Sequence, residues 1–487
     1  MKVSISYPPL ESKKGVPLLS QNRQFQWFSE PTYIYPMVPA YAATLLEYNG
    51  YDIVWDDGIA EGKSYGKWLK DIVNEEPDII AMETKTPVIK RYWKIINELE
   101  EYLPKTKIVL MGDHVTTLPL ESFKNSKVDY VITGGDYDFM LLSLARWLEG
   151  KGKPEPGIYY REGNTIKNTG RFTLNHDLNS LPFIDRELTK WQLYAYKNGN
   201  YKRTPGTYTM VGRDCWWRKN GGCKFCAWTI LYPTYRVRTP ESLIEEVGML
   251  IDKYRVKEIF DDTGTFPVGN WLKKFAKMMI ERGYNEEIYF SINMRFGALN
   301  KYDYKLLAEA GFRMLLVGLE SANNKTLERI NKGVTVERII KELKWASEEG
   351  LEPHLTIMIG YPWETKEDAM KTVKLARRLF EKGYASTLQA TIVVPYPGTK
   401  MFQELKEQGL IKTYNWDDYD MTKLVIKAPI DEKDVKELTR ELYKSFFTPK
   451  YVIRRLLSIK SIDDLKFLWR GAKKVFGHIK DFSPYSQ

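Results

Sequence analysis

Short apolar runs alternate along this chain with longer stretches in which apolar side chains return every three or four residues. The runs at 2–7, 52–56, 78–82, 107–111 and 130–132 predict strands, and the stretches at 35–49, 64–74, 88–102 and 137–148 predict helices. In the first helix Val38, Tyr41, Leu45 and Leu46 share one face. A second series repeats the alternation, with strands at 208–211, 258–261, 289–294, 314–318, 354–359 and 388–394. Helices at 240–254, 271–282, 303–310, 336–349 and 367–382 separate them. Strands this short between helices this long form βαβ units around parallel sheets, whose ligands sit beyond the carboxyl ends of the strands.

Between the two series, residues 151–204 read as a connector. Glu155-Pro156-Gly157 and Glu162-Gly163-Asn164 are turn sequences, and the second joins 158–160 to 165–167 as a hairpin. Beyond residue 410 the strands stop, and helices are predicted at 431–447, 450–459 and 463–479. In the last, Leu465, Leu468, Trp469, Ala472, Val475, Phe476 and Ile479 form one face, opposite Lys466, Arg470, Lys473, Lys474 and Lys480. Two arrangements satisfy that pattern: a helix lying in a membrane interface, or one packing its apolar face on the preceding barrel.

Composition narrows the class. A chain of 487 residues with 43% hydrophobic and 28% charged positions is globular and has room for about three domains. It contains no run of about 18 apolar residues, so no transmembrane helix is expected. Residues 1–7 read as a strand without a signal peptide's apolar core. A formal charge of +10 suits nucleic acid, anionic membrane or acidic cofactors and selects none of them. With no RNA-binding module such as an OB-like tail, no nucleic-acid partner is expected.

All three cysteines fall in one loop, Cys215, Cys223 and Cys226, too few to pair completely as disulfides. Three thiols in a polar, Gly-containing loop point to a metal. A structural zinc wants four ligands; the nearest fourth candidates are His176 and Asp214, and neither has zinc-finger spacing. An iron–sulfur cluster held by three thiolates leaves one iron open to a substrate or cofactor. Ligating thiols require a reducing compartment, so the expected location is cytoplasmic, peripheral at the inner membrane surface if the last helix is interfacial.

Cys223-Lys224-Phe225-Cys226 resembles the second half of the cysteine motif of radical S-adenosylmethionine (SAM) enzymes. The first gap departs from that family's three residues: seven separate Cys215 from Cys223, and Asn220-Gly221-Gly222 looks like a turn that absorbs the excess. Gly318-Leu319-Glu320-Ser321, Asn331-Lys332-Gly333 and Gly360-Tyr361-Pro362-Trp363-Glu364-Thr365 follow in the family's order, so the resemblance covers nearly all of 205–410. It implies a 4Fe-4S cluster on the three cysteines. It places SAM against Phe225, Asp261, Asp262, Thr263, Ser291, Arg295, Glu320, Ser321, Val394 and Pro395.

The loops Pro8-Pro9-Leu10-Glu11, Glu83-Thr84-Lys85-Thr86, Gly112-Asp113-His114 and Thr133-Gly134-Gly135-Asp136 together resemble the cobalamin-binding domain of cobalamin-dependent radical SAM enzymes. So do Pro36 or Pro39 before the first helix and the Gly50-Tyr51-Asp52-Ile53 step, while Leu181-Pro182-Phe183-Ile184-Asp185 resembles the segment leading into the radical domain. The implied cobalamin contacts are Pro8, Pro9, Thr84, Thr86, Asp113, His114, Gly134, Gly135 and Asp136. An Asp-x-His-x-x-Gly motif is absent from the first loop and His114 follows a later strand, so His114 is expected to line a loop and no histidine is expected beneath cobalt.

The expected fold class is therefore α/β. Residues 1–150 form a Rossmann-like (flavodoxin-like) cobalamin-binding domain, 205–410 a partial (β/α)6 TIM barrel, and 411–487 a helical region. The implied activity is reductive cleavage of SAM to a 5′-deoxyadenosyl radical that functionalises an unactivated carbon, with C-methylation the first outcome. Radical C–C bond or ring formation on a membrane lipid is the alternative enzyme; an iron–sulfur or zinc binding module is the non-enzyme alternative. The implied partners are a small-molecule or lipid substrate, a ferredoxin- or flavodoxin-type reductant, and a membrane surface for the C-terminal basic helices.

Overall fold

The computed structural model describes residues 1–19 and 26–482. The first series folds as β1 (Lys2–Tyr7), α1 (Met37–Tyr48), β2 (Asp52–Asp57), α2 (Tyr65–Glu75), β3 (Ile79–Thr84), α3 (Ile89–Tyr102) and β4 (Lys107–Gly112). It continues through α4 (Asp113–Thr117), α5 (Pro119–Asn125), β5 (Tyr130–Ile132), α6 (Tyr137–Leu148), β6 (Ile158–Glu162) and β7 (Thr165–Asn168). Strands β2-β1-β3-β4-β5 are parallel in that order, and the hairpin β6–β7 extends the sheet antiparallel. This is the flavodoxin-like order, whose switch point falls between β1 and β3. Helices cover both faces, which is why β3 is buried at every position.

The second series forms an open barrel of six parallel strands. In sheet order they are β8 (Gly206–Thr209), β9 (Glu258–Asp261), β10 (Tyr289–Met294), β11 (Phe312–Glu320), β12 (Glu352–Ile359) and β13 (Thr387–Ile392). Between them run α7 (Pro240–Tyr254), α8 (Asn270–Glu281), α9 (Lys301–Glu309), α10 (Val336–Glu348) and α11 (Lys366–Lys382). Local signals fix the helix ends: Thr239 caps α7 ahead of Pro240, and Thr365 with Asp368 closes a capping box on α11. Strand β8 ends earlier than the apolar run predicts. The Val211 amide donates to Asp261 Oδ2 at 2.9 Å and the Gly212 amide to Thr263 Oγ1 at 2.8 Å, so side chains replace the ladder there.

At the amino ends of the barrel strands, Arg313 bridges Glu258 (Nε at 3.0 Å) and Glu352 (Nη1 at 2.7 Å). Lys202 extends this network to Glu352 at 3.2 Å and Asp464 at 3.0 Å. Beyond the barrel lie α12 (Lys400–Glu407), α13 (Glu432–Lys444), α14 (Pro449–Leu457) and α15 (Ile462–Asp481). Helix α13 covers the edge strand β13, where the Tyr443 hydroxyl pairs with both the amide and the carbonyl of Ala390 at 3.0 Å.

Helix α15 corrects the packing alternative. Leu465, Trp469 and Phe476 are exposed, while Arg470 and Lys474 turn inward onto the carbonyls of Tyr201 and Pro31. Its inward side carries Val475 and Ile479 against the core and buries Phe467 under Arg313. Among the described residues no helix is long and apolar enough to cross a membrane.

The two sheets present their carboxyl edges to each other. Arg213 pairs with Asp138 at 2.5 Å and Arg236 with Asp136 at 2.8 Å. The Gly135 amide donates to Leu231 O at 3.0 Å, and the Tyr232 hydroxyl to Gly135 O at 3.1 Å.

Candidate cluster and cofactor site

The cysteine loop hangs from the carboxyl ends of β8 and β9. Asp261 anchors its root by accepting from Thr209 Oγ1 at 2.9 Å, from Val211 and from the Thr263 amide at 3.1 Å. Burial raises the Asp261 carboxyl, and the bonds from Thr263, Thr209 and Val211 oppose the rise. Thr265 Oγ1 lies 2.8 Å from Cys215 Sγ, and Gly264 lets the backbones meet, since a Cβ there would fall 2.5 Å from Asp214 O. The long first gap is a 3₁₀ turn, Trp216–Asn220, closed by Gly221 and Gly222 at φ 86° and 70°. The 330–333 segment grips this turn. Trp217 Nε1 donates to Asn331 O at 2.8 Å, and the Lys224 amide to Ile330 O at 3.0 Å.

Two buried cations stand beside the thiols. Arg295 stacks its guanidinium 3.9 Å from the Trp217 ring and 5.2 Å from Trp216, and donates through Nη2 to Lys332 O. Its Nη1 is buried without a partner among the described residues. Lys332 pairs with Glu320 at 2.7 Å and lies 5.9 Å from the Phe225 ring. Burial raises the Cys223 thiol, and Lys332 and Arg295 pull it back; burial, with Cys223 adding to it, raises Cys226 to about 12. Glu320 holds a left-handed φ of 60°, and its carboxylate folds back over Gly318, where a Cβ would fall 1.9 Å from Glu320 Oε1.

Of the expected SAM residues, Asp261, Thr263, Arg295 and Glu320 therefore surround the loop, with Asp262 held by Asn293 Nδ2 at 3.2 Å. Val394 and Pro395 are buried in the turn after β13. Ser321 belongs to a polar knot, donating to Glu364 Oε1 at 2.6 Å alongside Thr326. Ser291 is displaced from the rest: its hydroxyl faces Glu258 at 3.4 Å, toward the amino end of the barrel. Asn293, two residues on, occupies the carboxyl-end position instead, and its Oδ1 is buried without a partner among the described residues. Asn293 and Lys332 are the site residues that sequence reasoning missed; period-two counting along the strand from Arg295 would have found Asn293.

On the facing sheet, Pro8 and Pro9 follow β1, Thr84 ends β3 and Thr86 follows it, flanking the switch point. Buried polar atoms converge here without hydrogen-bond partners among the described residues: Thr84 Oγ1, Tyr92 OH and Tyr137 OH, beside the Glu83–Lys85 ion pair at 3.5 Å. Asp113 and His114 open a short helix, not a loop. His114 is fully buried, with Nδ1 3.3 Å from Thr86 Oγ1 and Nε2 2.9 Å from Glu121. Gly134, Gly135 and Asp136 meet the barrel: a Cβ on Gly135 would fall 2.3 Å from the Tyr232 ring, and Asp136 is held by Arg236 and His176.

Both candidate fourth ligands for zinc are engaged. His176 binds Asp136 and Glu155 through its two ring nitrogens at 2.8 Å each, and Asp214 binds Arg218 at 2.5 Å. Among the described residues no group of three or more His, Cys, Asp or Glu side chains, the three cysteines included, closes to the spacing of a single metal ion. The donor set is thus three thiols beside two buried cations, which fits an anionic cluster with an open iron better than a closed four-ligand zinc site. Surface hollows of about 280 Å³ and about 230 Å³ lie at Phe183 and Tyr254 and at Lys224 and Trp363.

Residues 211–376 match the radical SAM superfamily. The chain is 28% identical over 431 residues to an uncharacterized methyltransferase of Pyrococcus horikoshii, covering 86% of this chain and 89% of the relative. It is 25% identical over 428 residues to the anaerobic magnesium-protoporphyrin IX monomethyl ester cyclase of Cereibacter sphaeroides, covering 85% and 67%. Its fold matches the cobalamin-dependent SAM radical enzyme OxsB, solved with aqua-cobalamin and SAM bound, at a TM-score of 0.70 and 14% identity, over 98% of this chain and 71% of that one.

Proposed function

We propose, from the match of residues 211–376 to the radical SAM superfamily, that the chain is a cobalamin-binding enzyme that methylates an unactivated carbon. The observation that carries the reading is the unpartnered Nη1 of buried Arg295 beside three thiols with no fourth ligand. When bound, a 4Fe-4S cluster would supply the electron that cleaves SAM to methionine and a 5′-deoxyadenosyl radical, and cobalamin the methyl group. Cys215, Cys223 and Cys226 would hold the cluster. Arg295 is placed to fork a SAM carboxylate, with Asn293 and Asp262 presenting the polar atoms suited to its amino group. Phe225 and Val394 would wall the adenine. Pro8, Pro9, Thr84 and Thr86 would hold cobalamin at the switch point. The chain's own work is to position these groups and keep water out.

Lys332 and Arg295 would offset the charge of the cluster, and the proposed reductant is a ferredoxin or flavodoxin. Ring or C–C bond formation is the second reading, favoured by the relationship to the cyclase over 85% of the chain. Anaerobic reconstitution with iron, sulfide and hydroxocobalamin, followed by SAM and dithionite, tests both. 5′-Deoxyadenosine together with S-adenosylhomocysteine supports methylation; deoxyadenosine alone favours ring formation. Zinc at the three cysteines with neither product overturns both.

A further inference from the structure

Helix α15 is amphipathic with its apolar stripe on the outside. Ile462, Leu465, Trp469 and Phe476 recur at helical spacing and are 64%, 52%, 66% and 56% exposed. The polar side does the docking. Arg470 donates to Tyr201 O at 2.8 Å, Lys474 to Pro31 O at 3.0 Å, and Asp464 takes Lys202 at 3.0 Å. Gly477 lies against Ser29 and Glu30, and His478 stacks on Tyr443 with centroids 4.9 Å apart. The neighbouring helix continues the surface: Ile453, Leu456 and Leu457 of α14 are 58%, 59% and 79% exposed. Phe447, just before α14, joins the two helices through a ring contact with Phe476 at 5.3 Å. Nine of the sixteen exposed large apolar side chains among the described residues lie from Phe447 to Phe476. A contiguous apolar patch of this kind, rimmed by charge, marks an interaction surface.

The rim selects the occupant. Lys466, Lys473 and Lys480 recur every seven residues along one edge of the stripe, all exposed. Lys450 and Lys460 are exposed beside α14. From Lys450 to Lys480 nine basic residues stand against two acidic ones, Asp463 and Asp464, and the latter is tied to Lys202. A second copy of the chain would lay this patch on itself about a twofold axis and bring the lysine edges together. A bilayer carrying anionic lipid meets both features at once, with apolar side chains entering the acyl boundary and lysines at the phosphates.

We propose that α14 and α15 form an in-plane anchor that binds the chain to anionic membrane surfaces. The anchor does not depend on the activity proposed above. It is rooted at Lys202 and Arg313, at the amino ends of the barrel strands, whereas the cysteine loop hangs from their carboxyl ends. Substitutions on its outer face therefore leave SAM cleavage unchanged.

Flotation of the full chain tests this with vesicles of phosphatidylcholine alone and of equal parts phosphatidylcholine and phosphatidylglycerol. The wild type floats with the anionic vesicles and not with the neutral ones, and added salt releases it. Lys466→Gln with Lys473→Gln weakens partitioning about 25-fold, roughly fivefold per lysine. Leu465→Glu with Trp469→Glu abolishes it; circular dichroism and the melting temperature stay unchanged in both variants. If the apolar variant misfolds, the lysine variant still decides. Three results overturn the proposal: no flotation with either vesicle, equal flotation with both that the lysine variant does not alter, or a dimer in light scattering that the Trp469 variant dissociates.

Discussion

The side-chain amide of Asn331 donates to the carbonyl oxygen of Gly222 at 2.8 Å, reaching across 109 positions to the residue before the second cysteine. It makes the same bond to Asn220, and its own backbone is left-handed at φ 54°. The unusual gap between Cys215 and Cys223 is thus shaped from outside, by a segment following β11.

Asn331→Gly keeps the backbone conformation but removes both bonds, at about 1 kcal/mol each. Asn331→Ala adds the left-handed penalty of about 1–2 kcal/mol. Iron retained per chain after anaerobic reconstitution and gel filtration should fall in the order wild type, Gly, Ala. Equal iron in all three would show that the loop is shaped by its own residues.

Arg295 offers one buried, unpartnered N–H while its other arm is tied to Lys332 O. Arg295→Lys keeps the charge and loses the planar fork. Affinity for SAM, read by equilibrium dialysis on cluster-loaded protein, should weaken about 10-fold in the lysine variant and about 100-fold in Arg295→Met, on the scale of a charge-assisted hydrogen bond. Unchanged affinity in both would leave Arg295 a structural partner of Trp216, Trp217 and the Lys332 carbonyl.

The βα alternation was enough to place both sheets, because each strand and helix declares itself within a few residues. Ser291 shows what that reading lacks. Period two puts Ser291, Asn293 and Arg295 on one face of β10, but depth along the strand decides which reaches the loop, and depth follows from the register with β9. Lys332 stands within a recognisable motif, but its role is invisible there because its partner Glu320 belongs to another element. Helix α15 shows the same limit: periodicity defines its stripe, while the direction of the stripe is set by distant acceptors such as Tyr201 and Pro31.

Glu320 and Lys332 form a buried pair, 5% and 6% exposed. Glu320→Gln leaves Lys332 an unpaired buried cation and should destabilise the chain by about 3–5 kcal/mol in denaturant unfolding. Glu320→Gln combined with Lys332→Met should recover most of that loss, because the stranded charge is gone. A double variant as unstable as the sum of the singles would show that the two side chains act independently.

His176 joins the two halves of the molecule through charge. It bonds Asp136 and Glu155, stacks on Phe139 with centroids 4.2 Å apart, and accepts Arg236 at its own carbonyl at 3.0 Å. Burial opposes its protonation, but the bonds to Asp136 and Glu155 prevail and raise it from 6.5 to about 9. Asp136, also disfavoured by burial, is carried by His176 and Arg236 from 3.8 down to about 2. The raised histidine contributes stability that is full below pH 6.5 and lost as pH climbs through about 9. The depressed carboxyl contributes stability that is full above pH 3.8 and lost as pH falls through about 2. The melting temperature of the wild type should therefore decline from neutral pH toward pH 9 more steeply than that of His176→Gln, and the two curves should converge at the alkaline end. Parallel curves across that range would mean that His176 is neutral at pH 7 and that Arg236 alone holds Asp136.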